Sequence, residues 1–221
     1  MSVAAETDTP HSGLMRRGLR NIFVVAALAV LVTAMSASTA SAGLLVKDAP
    51  NCSPQPTSQP FLPWGDGSEY NLAPGGSYEA GTRSWSLSGR ASVVSGNEPW
   101  KVAGASHTGS LKLPPGASAT SPTICVGLEH PTIRFFAKND RALLSTLSVE
   151  VITETSLGLT AAVPVGVLLP SGQWKPSPRF LVVANLLPLL PGEHTPVRFR
   201  VTSIGTGTWS VDDFYVDPRC R

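Results

Sequence analysis

Between Val197 and Thr202 the chain alternates cleanly. Val197, Phe199 and Val201 fall on one side, while Arg198 and Arg200 fall on the other. A period of two is the signature of a strand buried on one face. TLSVEV at 146–151 repeats the pattern with Leu147, Val149 and Val151 inward. In TIRFFAK at 132–138, Ile133, Phe135 and Ala137 share a face opposite Arg134, Phe136 and Lys138. Strand-like runs of this kind recur near 84–88, 91–95, 108–113, 119–126, 132–138, 145–154, 160–169, 179–186, 195–202 and 208–216, with turn residues between them. Residues 180–190 read as a buried strand, or as a strand and a short turn broken by Pro188. Apart from one N-terminal apolar stretch, no segment sustains a helical period, and no internal repeat is visible. Many short strands punctuated by turns predict an all-β fold, a sandwich or jelly roll.

The last of these runs, WSVDDFYVDP at 209–218, breaks the alternation. Trp209, Val211, Asp213 and Tyr215 would lie on one face, and Ser210, Asp212, Phe214 and Val216 on the other. A clean apolar face needs a change of phase at Asp212-Asp213, which a β-bulge supplies by setting two residues against one. Otherwise one aspartate points inward and must be paired or bound to a cation, since a bare buried carboxylate is costly. The plain alternative is two solvated carboxylates near a strand end. Pro218 stops the ladder by removing a donor.

Arg16, Arg17 and Arg20 precede an apolar run from Ile22 to Val32, and small residues follow up to Ala40-Ser41-Ala42. This order predicts a secretory signal peptide over 1–42, cleaved after Ala42. The run is too short and wrongly flanked for a membrane span, so none is expected in the mature chain. No cysteine stands at the cleavage site for lipid attachment. The paired arginines leave general and twin-arginine export both open. Cleavage removes three of the 17 basic and two of the 15 acidic residues, turning the formal +2 into +1. That balance leaves no electrostatic footprint for nucleic acid. Residues 43–63 are rich in Pro, Ser and Gln and read as an extended leader. A single sandwich domain is expected over 64–221.

Cys52, Cys125 and Cys220 are the only cysteines. In an oxidising compartment one bridge and one leftover are expected. Cys52–Cys125 would tie the leader to the sandwich, whereas Cys220, near the other chain end, could capture Cys52 instead.

Two segments carry a family resemblance. GGSYEAG at 75–81, followed by Trp85 and the Gly89-Arg90-Ala91 turn, resembles the opening strand of carbohydrate-binding-module-like jelly rolls of the galactose-binding-like type. VDDFYVDP at 211–218 is similar to their closing strand. The resemblance spans 75–218 in outline and rests on these two short motifs. FLPWGD at 61–66 and FFAKN at 135–139 are also similar to segments of bacterial secreted proteins with no assigned activity. The resemblance implies a jelly-roll β-sandwich and a structural calcium held by the opening glutamate and the closing aspartate, here Glu79 and Asp212. Without an ion, the same side chains would accept hydrogen bonds from turn amides.

Sugar binding normally calls for aromatic platforms with polar neighbours. Trp85 and Trp209 lie in strands and are expected in the core, given the apolar surface an indole buries. Trp100 in GNEPWK and Trp174 in SGQWKP sit among turn and polar residues and are the expected platforms, with Asn97, Glu98 and Gln173 as hydrogen-bonding partners. Each could instead pack over a sheet edge. Trp64 is expected to pin the leader. GASHT at 104–108 misses the serine-elbow pattern by one glycine. His107, His130 and His194 are far apart in sequence and read as solvated loop residues, and Glu129 with Glu150 has no spacing that marks a glycosidase pair. The expectation is therefore a secreted, non-catalytic module binding extracellular or cell-wall glycan. The alternative is a structural or protein-interaction module at the cell surface.

Overall fold

Among the described residues, the chain forms thirteen strands. In the computed structural model, residues 52, 55–79, 84–154, 158–182 and 194–217 are described. The signal segment with its cleavage site, most of 43–54, and Cys220 lie outside the described residues.

The front sheet is built from β1 (Asn71–Leu72), β3 (Ser92–Ser95), β4 (Gly109–Leu113), β7 (Thr132–Asn139), β10 (Lys175–Pro176), β11 (Phe180–Leu181) and β13 (Trp209–Val216). Its order is β10-β7-β13-β4-β3, with β11 also on β7 and β1 also on β13. The back sheet holds β2 (Ser86–Ser88), β5 (Ser118–Thr120), β6 (Ile124–Val126), β8 (Ser145–Glu154), β9 (Thr160–Leu168) and β12 (Thr195–Gly205). It runs β2-β5-β12-β8-β9, with β6 also on β12. All these pairings are antiparallel. The fold is a jelly-roll β-sandwich, as the strand spacing predicts.

One core fills the space between the sheets. Val197, Phe199 and Val201, then Leu147, Val149 and Val151, then Ile133, Phe135 and Ala137 all enter it, on the faces their alternation assigns. Phe214 ties the layers together: its ring stacks on Phe135 at 5.2 Å and lies 5.5 Å from Phe199 of the opposite sheet. Trp85 and Trp209 are both core residues, as expected. Burying rings of this size stabilises by about 2–3 kcal/mol each. The Trp209 indole N–H donates to Ser145 Oγ across the layers at 2.8 Å, so its polar atom is satisfied.

At β13 the register against β7 slips between Asp212 and Tyr215, with Asp212 opposite Phe136 and Tyr215 opposite Arg134. One extra residue is accommodated there, and Asp213 takes the left-handed conformation, φ 49°. This bulge is the phase change the sequence required. Trp209, Val211, Phe214 and Val216 all face the core, while Tyr215 faces out. A second slip lies in β9, between the partners of Val149 and Glu150. Gly166 sits at this point because a side chain there would run into the Phe180 ring.

A smaller cluster covers part of the outer face of the front sheet. Phe61, Tyr70, Phe136 and Tyr215 form it, with Trp64, Leu72, Val102, Ala103 and Trp174 packed around them. Phe61, within the segment read as leader, is fully buried. Asp66 holds this segment down. It accepts hydrogen bonds from Arg134 Nη1 at 2.6 Å, Tyr70 OH at 2.8 Å and Arg179 Nε at 3.1 Å. The Arg134 guanidinium also lies 4.3 Å over the Phe61 ring. Burial opposes ionisation of Asp66, but the hydrogen bonds from Tyr70 and Arg134 outweigh it and hold the carboxyl well below its usual range. The Cys52–Cys125 disulfide is formed, with Cα atoms 5.7 Å apart.

Candidate functional site

The carboxylates of β13 are buried, not solvated. Asp212, Asp213 and Glu98 are all fully buried beneath the segment 98–103. Their oxygens gather that segment's backbone amides. Asp212 Oδ2 accepts from Glu98 N at 2.9 Å and its Oδ1 from Asp213 N at 2.9 Å. Glu98 Oε2 accepts from Trp100 N at 2.6 Å and its Oε1 from Val102 N at 2.5 Å. Asp213 Oδ2 accepts from Ala103 N at 3.0 Å, while its Oδ1 is buried without a partner. Proline at 99 lacks an N–H to offer, so the amides on either side carry the loop. Three carboxylates thus fix a short loop whose tip is Trp100.

Burial raises the Asp212 carboxyl to about 8, helped by the Asp213 charge beside it. Burial likewise raises Asp213 to about 7, with Glu98 and Glu79 adding to the rise. Tyr78, whose hydroxyl is buried and unpartnered, is pushed up by burial and by both aspartates.

Glu79 lies near the start of the same region. Its Oε1 accepts from Thr108 N and Gly109 N, each at 2.9 Å. Gly109 is needed because a Cβ there would collide with the Tyr78 carbonyl. Hard cations take six to eight oxygens. Here the oxygens of Glu79, Asp212 and Glu98 meet backbone amides, and among the described residues no group of three or more His, Cys, Asp or Glu side chains is placed to hold a metal ion. As arranged, this set binds turn amides and does not fit calcium.

Trp100 stands at the edge of the outer cluster and keeps 46% of its surface exposed. Its ring lies 4.9 Å from Trp64, edge to face, and 5.5 Å from Phe136. Trp174 precedes β10, whose Lys175 and Pro176 pair with Ala137 and Phe136. That register sets Trp174 beside Lys138, whose ammonium lies 4.9 Å over the indole. The two tryptophans nominated from sequence are therefore brought to one face, on either side of the Phe136 strand. Beyond Lys138 an open cleft of about 320 Å³ continues across the same face, lined by Asn139, Arg141, Gly172, Thr208 and Ser210.

Gln173 is exposed next to Trp174, with its backbone oxygen accepting from Ser171 Oγ. Asn97 donates its amide to the Glu98 carbonyl and turns its Oδ1 inward, where it is buried without a partner. Glu98, expected as a polar partner of an exposed indole, is instead spent on the amides beneath Trp100. Trp64 does pin its segment and also backs Trp100. Lys138 and Trp64 are the rim residues sequence reasoning did not assign to a site. The outward position of Lys138 in TIRFFAK was the available signal.

The histidines correct an expectation. His130 and His194 are neighbours, with ring centroids 6.1 Å apart, and His194 Nε2 lies 2.6 Å from Glu129 Oε1. His130 is buried, accepts from Gly127 N at its Nδ1, and burial lowers its pKa. They are distant in sequence because β6 and β12, which precede or follow them, are not sequential neighbours yet pair at Val126 and Thr195. Glu150, on the back sheet, accepts from Arg200 Nε at 2.7 Å. GASHT forms a turn closed by His107 N on the Gly104 oxygen, within a loop between β3 and β4.

No protein-family model matches the chain, and no curated protein matches it. Among solved structures, it is similar to the CBM22-1–GH10 modules of the Clostridium thermocellum endo-1,4-β-D-xylanase 10B complexed with xylohexaose. That match has 12% identity and a TM-score of 0.47, covering 65% of this chain and 28% of that one. It is similar to the CBM22-1 xylan-binding domain of Paenibacillus barcinonensis Xyn10C, at 14% identity and TM-score 0.46, covering 66% and 93%. TmCBM61 in complex with β-1,4-galactotriose matches at 17% identity and TM-score 0.35, covering 62% and 89%. These are likenesses between β-sandwiches, at identities too low to place the chain in a family.

Proposed function

We propose that the chain is a secreted, non-catalytic module that binds extracellular or cell-wall glycan on the outer face of its front sheet. The observation that carries this reading is Trp100, an indole left half exposed at the tip of a loop fixed by three buried carboxylates. A rigid, pre-positioned ring offers stacking area to a sugar at little entropic cost. Trp174, Lys138 and the adjoining cleft supply a second ring and polar neighbours on the same face. Of the two glutamates weighed as a glycosidase pair, Glu129 pairs with His194 and Glu150 with Arg200. A disulfide between Cys52 and Cys125 suits the oxidising compartment that export would provide.

The test is retention on insoluble polysaccharides and purified cell wall. It uses protein recovered from the culture medium, whose N-terminus is expected at Gly43. Retention that a soluble sugar releases supports the reading. Intracellular accumulation with residues 1–42 still attached would remove its secreted part.

A second reading has one observation in its favour. On the back sheet, Ile204 pairs with Thr146, and Thr146 lies beside the residue following Leu168, so Ile204 and Leu169 flank it at one end of the outer face. Both are exposed, as are Leu143, Leu144 and Val167 nearby in the fold. An apolar end of this kind suits a protein contact. Absence of retention on any polysaccharide, with a partner captured at this end, would favour it.

A further inference from the structure

The back sheet carries a different chemistry from the front. On its outer face, β12 presents Arg198 and Arg200, β8 presents Glu150 and Ile152, β5 presents Thr120, and β2 presents Ser86. These strands frame an open groove of about 270 Å³, lined by Ser86, Thr120, Thr160, Arg198 and Arg200, with Ile152 as its floor. A smaller recess of about 140 Å³ continues from it past Ile152 and Arg198 towards Pro196 and Glu154.

The two arginines are not equivalent. Arg200 gives its Nε to Glu150 at 2.7 Å, so that pair is fixed and close to neutral. Arg198 is exposed, and among the described residues no hydrogen bond or ion pair engages its guanidinium. It stands where the groove and the recess meet, since both are lined by it. A planar guanidinium with free donors matches an oxyanion in bidentate fashion. Around it the groove offers hydroxyls, which can both donate to and accept from the hydroxyls of a sugar. Among the described residues, no aromatic side chain lines either cavity. This groove is therefore built for ionic and hydroxyl contacts, whereas the front face is built for stacking.

We propose that the outer groove of the back sheet is a second binding site. It takes an anionic polysaccharide, whose carboxylate or sulfate group is held by Arg198 while the groove hydroxyls meet the neighbouring sugar. The Arg200–Glu150 pair is a positioning element that keeps the middle of the groove flat and open.

Affinity electrophoresis of the mature protein tests this, in gels containing polygalacturonate, dextran sulfate or neutral dextran. The wild type is compared with Arg198→Ala and Arg198→Lys. Retardation is expected to be stronger in a charged gel than in neutral dextran. Affinity should fall about tenfold in Arg198→Ala, the loss of one charge-assisted bidentate contact. Arg198→Lys should fall between wild type and alanine. Retardation by polygalacturonate identifies the carboxylate source, and by dextran sulfate the sulfate source. No retardation in either charged gel overturns the proposal, and so does retardation that Arg198→Ala leaves unchanged. Arg198 is exposed, so its replacement leaves the core intact, and an unchanged melting temperature verifies this. The front-face reading is judged separately, by the effect of Trp100→Ala on retention by insoluble neutral polysaccharide.

Discussion

Asp213 carries an unusual load for one residue. It is the extra residue of the bulge, it holds a left-handed backbone, and it is fully buried with one oxygen unpartnered. In the folded chain Asp212 and Asp213 keep their protons until about pH 8 and about pH 7, against 3.8 for the free side chains. Folding therefore takes up protons between about pH 4 and pH 8, and stability should fall as pH rises through that window. Asp66 has the opposite sign. Its depressed pKa contributes stability that is present above 3.8 and lost as pH falls below it. Melting temperature should accordingly peak in mildly acid solution. Asparagine at 213 would keep the bond from Ala103, could donate to Glu98, and tolerates the left-handed region. Asp213→Asn should therefore stabilise at pH 8 by roughly 1–2 kcal/mol and change little at pH 5, a fraction of the full linkage value. Thermal melts at the two pH values check this, and a loss of stability at pH 8 would refute it.

Among the elements, those with strict alternation were legible in advance. β8 and β12 place their inward residues as the period of two assigns them, because each has core on one side and polar surroundings on the other, and β7 does so although an aromatic cluster covers Phe136 on its other face. β13 was legible only as a contradiction. Its pattern demanded a bulge or an inward aspartate; the fold uses the bulge and buries both aspartates beneath the loop 98–103. What the pattern could not contain was the roof: segments 59–70 and 98–103 fold over the outer face, so residues on that face, such as Phe136, Tyr215 and Asp212, are buried. A period of two distinguishes the faces of a strand but not what covers them. The short β1 and β10 were missed because two residues carry no period. The disulfide joins the N-terminal segment to β6 over a separation of 73 residues. Replacing Cys52 and Cys125 by serine should cost about 4 kcal/mol in the chain-entropy account. Urea unfolding of the double variant measures this, and a loss under 1 kcal/mol would show the segment is held by Asp66 and Phe61 alone.

For the molecule as a whole, the sandwich separates two kinds of surface. The front face combines tryptophans with a lysine and a polar cleft, and the back face combines arginines with hydroxyls. The pairing of Trp100 with Trp174 was visible in the sequence only as two indoles among polar residues. Their convergence depends on β10 pairing with β7 and on the carboxylates beneath residue 100, neither of which leaves a local pattern. The amide-filled carboxylates also bear on calcium. Addition of a chelator should leave the melting temperature unchanged within about a degree, since a ligand bound at saturation would add RT ln(1 + [L]/Kd) to stability. A chelator-induced drop of several degrees would place an ion where the amides now sit.

The most direct measurement is retention of the mature protein on insoluble polysaccharides and cell wall, comparing wild type with Trp100→Ala and Trp174→Ala. Wild type should be retained and released by a soluble sugar. Each variant should bind roughly tenfold more weakly while melting near the wild-type temperature, the loss of one stacked ring. Retention that survives both substitutions, or none on any matrix, would contradict the account of the front face.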